Sequence, residues 1–83
     1  MRRESEYFGE SELVLIYAAR RLKEALSLEA VLDAGDIDYA VVPSPYVSGF
    51  LFRSQRIGAF FYLAPECAGR ARLLMKEKGF TPI

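Results

Sequence analysis

The stretch "IGAFFYL", residues 57–63, constrains this chain more than any other. Read as a strand, it places Phe60 and Tyr62 on one side and Ala59, Phe61 and Leu63 on the other. Both sides are apolar, so a sheet containing it needs cover on both faces. A chain of 83 residues fits one domain and buries only about 60–65% of its unfolded surface. Its apolar content of 52% is slightly above the usual share, which points to apolar surface beyond the core.

The remaining elements are set by periodicity. "LVLIYA", residues 13–18, is a short apolar run with β-branched members and reads as a first strand. "RRLKEALSLEAVLDAG" is rich in helix formers; Ala25, Leu28 and Leu32 share one face, with Leu22 and Leu26 on an adjoining stripe. Gly35 marks its C-terminal stop. Residues 37–43, "IDYAVVP", read as a second strand that Pro43 and Pro45 end, since neither can donate a ladder hydrogen bond. "APECAGRARLLMKEKGF" reads as a second helix: Pro65 suits its first position, Cys67, Ala68, Ala71, Leu74 and Met75 face inward, and Gly79 supplies a left-handed cap. "FTPI" is expected to add a short edge strand. Residues 1–11 are polar and without periodicity, an N-terminal arm to a single domain over residues 12–83.

The order strand, helix, strand, strand, helix, strand predicts an α+β, ferredoxin-like βαββαβ sandwich. Its four-stranded antiparallel sheet carries both helices on one face. The uncovered face then calls for a second copy, so a homo-oligomer, in the first instance a dimer, is expected.

Composition removes several function classes. Lys plus Arg and Asp plus Glu both number 11, so no net field draws the chain to nucleic acid or an anionic membrane. The absence of histidine removes the commonest general base, zinc ligand and haem ligand. One cysteine cannot form an internal disulfide and suits a reducing compartment. "MRRESEYFGESE" has no apolar core of a secretory signal, and no apolar run reaches the length of a membrane span, so a cytoplasmic protein is expected.

The predicted topology sorts the charges. The first strand, the second strand and the second helix all end at one edge of the sheet, which gathers Arg20, Arg21, Arg53, Arg56, Lys76 and Lys78. The opposite edge receives Asp33, Asp36, Asp38 and Glu66. A basic rim beside a helix N-terminus suits an anion. Tyr46, Phe50 and Phe52, with Arg53 and Arg56, occupy a connection that looks longer than a chain reversal needs, and such residue types dominate binding surfaces. These five and Arg20 and Arg21 are the candidate ligand- or partner-binding residues.

"LVLIYAARRLKEA", "LDAGDI" and "YLAPECAGRARLLM" together resemble small bacterial signal-transducing proteins with a PII-like (GlnB-like) ferredoxin fold. The resemblance spans roughly residues 12–78 and rests on fold-determining positions, among them Glu24, Ala25, Pro65, Glu66 and Leu74. It departs from the family at Asp36, where glycine is expected before the isoleucine. It implies a non-enzymatic regulatory module whose strand 2–3 loop contacts a small anion or a protein target. "VVPSPYVSG" is similar to the Pro-x-Pro segment of a selenium or sulfur carrier-like family, but Ser48-Gly49 lacks that family's cysteine.

No catalytic group, cofactor or metal is expected. Cys67 shares the inward helix face and has no histidine base or resolving thiol. "DAGDID" lacks the length and ligands of a calcium loop and suits a turn. Three readings stay open: a ligand-binding regulatory module, a structural homo-oligomeric protein without ligand, and a thiol-based carrier.

Overall fold

A computed structural model describes residues 1–9, 12–48 and 54–83. After a short 3-10 helix (Ser5–Phe8) come β1 (Val14–Ala19), α1 (Leu22–Ala34), β2 (Ala40–Ser48), β3 (Ser54–Leu63) and α2 (Pro65–Glu77). The class is α+β, and the sheet is antiparallel in the order β1-β3-β2.

The two-sided strand takes the centre. Phe61 and Leu63 of β3 are fully buried with Ile16 and Ala19 of β1. Both helices lay their predicted faces on this side. Ala25, Leu28 and Leu32 are buried from α1, and Ala68, Ala71 and Met75 from α2. Leu22 and Leu26, the adjoining stripe, stay exposed. On the other face Ala40 is buried, Phe60 and Tyr62 are half-buried and Val42 is exposed, so that side is less enclosed among the described residues.

The expected four-stranded sheet has three strands among the described residues. "FTPI" does lie beside β1: the Ile83 amide donates to the Ile16 carbonyl at 2.9 Å, and the Phe80 ring meets Tyr17 edge-to-face at 5.5 Å. This single backbone hydrogen bond holds the segment at the sheet edge without making a ladder.

β2 runs through the prolines expected to end it. Both backbone groups of Tyr39 point away from β3, toward residues 1–3: its amide donates to Met1 at 3.1 Å and its carbonyl accepts from Arg3 at 2.7 Å. Strand alternation gives Pro43 and Pro45 the same outward orientation, where a missing amide costs no ladder bond. The β2–β3 ladder therefore continues to Ser48↔Ser54. Five residues lie between the strands, an ordinary hairpin length, so residues 44–56 are mainly strand and not a long connection.

Glycines mark two different needs at the ends of the helices. Gly35 has φ −84°, so it is no left-handed stop; a Cβ there would run into the Leu74 side chain, and the residue permits close approach of α1 to α2. Asp36 takes the left-handed conformation, φ 57°. Aspartate is among the few residues other than glycine that tolerate it. Gly79, φ 89°, fills its predicted role.

Candidate functional site

The site begins with the unequal length of the strands. β1 stops at Ala19, opposite Ala59 of β3, while β2 and β3 pair for five further residues. This two-stranded ribbon extends about 15 Å past the three-stranded sheet. It also accounts for a radius of gyration of 13.2 Å, against about 11.8 Å for a compact chain of this size.

α1 starts at the base of the ribbon. Arg21 is its N-cap residue, in extended conformation and with no side-chain capping bond. The first helical bond runs from the Ala25 amide to the Arg21 carbonyl at 3.0 Å. The Glu24 carboxylate reaches back to the Arg20 amide at 3.4 Å, a loose form of the usual capping reciprocity. Glu24 also stands beside the Tyr17 hydroxyl. Burial first, then the hydrogen bond and charge of Glu24, push the Tyr17 pKa up.

Between ribbon and helix lies a cleft of about 210 Å³. Ala19, Ala25 and Ala59 form its floor; Arg20, Arg21 and Leu22 stand on one wall, Pro43, Ile57 and Gly58 on the other. Small floor residues leave the space open, and Leu22 and Ile57 offer apolar surface at 76% and 72% exposure. Around the end of β1 a smaller cavity of about 160 Å³ opens between Arg20, Gly58 and Phe60, toward the less enclosed sheet face. Arg20 lines both and is exposed, as is Arg21; neither enters an ion pair among the described residues. This arrangement suits an anionic group held by guanidinium and helix-terminal amides, with an apolar portion against the alanine floor.

Of the seven predicted residues, Arg20 and Arg21 meet at the cleft. Tyr46 and Arg56 are cross-strand partners in the ribbon ladder. Phe50, Phe52 and Arg53 lie outside the described residues. Lys76 and Lys78 are exposed at the end of α2, whose Leu73, Leu74 and Glu77 line a pocket with Gly35 and Ile37 rather than the cleft of Arg20 and Arg21. Cys67 is half-buried and packed against the core, less enclosed than its helical spacing implies, and sits at the start of α2, the end of the sheet remote from the ribbon. Among the described residues no cluster of metal-ligating side chains occurs, and no helix is long and apolar enough to cross a membrane.

The sequence reading missed the other end of β2. Residues 1–3 pair in parallel with Tyr39, and Arg3 Nε meets Asp38 Oδ1 at 3.1 Å. The Tyr7 hydroxyl donates to Asp38 Oδ2 at 3.1 Å, and the Arg3 guanidinium lies 4.5 Å from the Tyr7 ring centroid. Burial works to raise the Asp38 pKa, but the Arg3 and Tyr7 hydrogen bonds, with the charges of Arg3 and the Met1 α-amino group, outweigh it and hold it below the ordinary value. The available signal was the sign contrast between Arg2-Arg3 and the acidic "DAGDID" turn.

Comparison with family models, with curated proteins and with solved structures finds no match.

Proposed function

We propose that this chain is a non-enzymatic ligand- or partner-binding module of the PII-like kind, working at the ribbon end of its sheet. The observation that carries the reading is the cleft shared by the ribbon base and the uncapped start of α1, with Arg20 and Arg21 on its wall. A small molecule bearing an anionic group and a flat apolar part fits that lining. The resemblance to PII-like signalling proteins supports the same end of the fold, since the strand 2–3 segment is their contact element. The carrier alternative is weakened by geometry: Cys67 stands at the opposite end of the sheet from the Pro-x-Pro segment that prompted it.

Native mass spectrometry of the freshly purified chain, beside an Arg20→Ala/Arg21→Ala variant, tests the reading. A retained small molecule of defined mass that the variant loses, at unchanged melting temperature, supports it. A wild-type chain that retains nothing and gives no heat with inorganic phosphate or a nucleoside triphosphate counts against it.

A second reading, self-association, is favoured by the less enclosed sheet face. Prolines on the outer edge of β2 and the C-terminal segment against β1 oppose growth by edge pairing, which leaves the face with Phe60, Tyr62 and Val42. Three strands of six residues offer a footprint of only about 300 Å², against roughly 800 Å² per partner in a stable interface. The face alone is too small, so a dimer would recruit the ribbons as clasps. Sedimentation at high micromolar concentration showing only monomer overturns this second reading.

A further inference from the structure

We infer that the outer edge of the chain at Asp38 and Tyr39 is a docking edge for an arginine-bearing extended peptide, and that residues 1–3 of the chain itself are its resident occupant. Three observations carry this. The edge is preformed: Tyr39 is fully buried, and its single hydroxyl proton is shared between Asp33 Oδ1 at 3.1 Å and Glu29 Oε1 at 3.4 Å. Its two backbone groups face outward and are met by residues 1–3 in an isolated parallel bridge.

The occupant is held by polar contacts, several of them from its α-amino group: Met1 N donates to the Ile37 carbonyl and pairs with Asp33 at 3.3 Å and Asp38 at 3.7 Å. Arg3 pairs with Asp38, and Arg2 lies 3.7 Å from Glu29. No residue of this segment belongs to the core, and Met1 and Tyr7 are both more than half exposed. Backbone pairing at a sheet edge plus exposed ion pairs is a bond of the exchangeable kind, as in recognition by strand addition.

The edge is also bounded. Pro43 and Pro45 oppose pairing farther along β2, so a visiting strand is confined to the few residues around Tyr39, within reach of Asp38, Glu29 and Asp33. The partner this fits is a short extended segment with adjacent arginines, presented by another protein. The chain's own segment competes with it from the end of a short tether, at an effective concentration in the millimolar range.

The test uses the full chain and a fluorescein-labelled synthetic peptide of residues 1–8. In Arg2→Glu/Arg3→Glu the two side-chain ion pairs become repulsions from Asp38 and Glu29, and only the Met1 amine and the backbone bonds still hold the resident segment, so its hold on the edge is expected to weaken. The peptide is expected to bind this variant at least about tenfold more tightly than wild type. Adding Asp38→Asn should weaken that binding at least about tenfold, and a peptide carrying the same two glutamates should not bind. Equal binding to wild type and variant, no binding to either, or indifference to Asp38→Asn overturns the proposal. An independent measurement needs no variant: hydrogen exchange of the wild-type Tyr39 amide should be faster than that of the buried Phe61 amide, reporting local release. Equal protection of the two would make the segment a fixed part of the fold and end the proposal.

Discussion

The two ends of β2 are built by opposite means. At its start, Tyr39 is buried, its hydroxyl is held by two carboxylates, and the chain's own arginines neutralise Asp38 and Glu29. At its other end the strand leaves the three-stranded sheet and continues with β3 alone, beside arginines without ion partners among the described residues. The first, closed end has its charges paired by the chain itself, and the projecting end carries arginines without such pairs among the described residues. A two-stranded ribbon is marginal on its own and depends on the anchored part for its register.

The largest break in this comparison comes from the closed end. Tyr39→Ala should cost about 3–5 kcal/mol by urea unfolding, as removal of a large buried aromatic does. Ile57→Ser, at the exposed base of the ribbon, should stay within about 0.5 kcal/mol of wild type in the same assay. Comparable losses at both sites would erase the distinction.

Gly35→Ala should follow in size, destabilising by about 1 kcal/mol, because the added methyl meets the tip of the Leu74 side chain and forces it to shift in the α1–α2 contact. Asp36→Gly, one residue later, should stabilise by about 0.5 kcal/mol, since it relieves a left-handed aspartate. The opposite signs at adjacent positions separate close approach from backbone conformation, and thermal melts of the two variants read the difference.

Titration sharpens the comparison further. Burial, then the charge of Glu29 and the hydrogen bond of Asp33, raise the Tyr39 pKa. Its contribution is full below the unfolded value of about 10 and falls away as pH rises above it. Tyr39→Phe should flatten the alkaline limb of the stability profile measured from pH 8 to 11.5. Asp38 has a lowered folded pKa, so its contribution is present above the unfolded value and is lost as pH falls through the folded one. Asp38→Asn should flatten the acid limb. The smallest effect belongs to the ribbon end, where Arg20→Ala/Arg21→Ala should leave both limbs and the melting temperature nearly unchanged.

The helix faces were legible in the sequence because 3.6-residue periodicity is local: Ala25, Leu28, Leu32, Ala68, Ala71 and Met75 are buried where spacing put them. The two-sided apolar pattern of β3 was legible too, but only its Phe61 and Leu63 side is fully buried, Phe60 and Tyr62 are half-buried, and its place between β1 and β2 came from the tertiary structure. Two features at the ends of the sheet were not. Whether a proline stops a strand depends on which way its nitrogen points relative to a neighbour, and sequence carries no such orientation; an edge position and outward register let Pro43 and Pro45 sit inside β2. A polar segment such as residues 1–8 has no periodicity to betray a partner more than thirty residues away, and only tertiary folding brings Arg3 to Asp38. The sequence by itself determined which faces must be buried, because burial is written residue by residue in side-chain chemistry. The tertiary structure decided where strands end and which charges meet, because those depend on neighbours that the chain acquires only on folding.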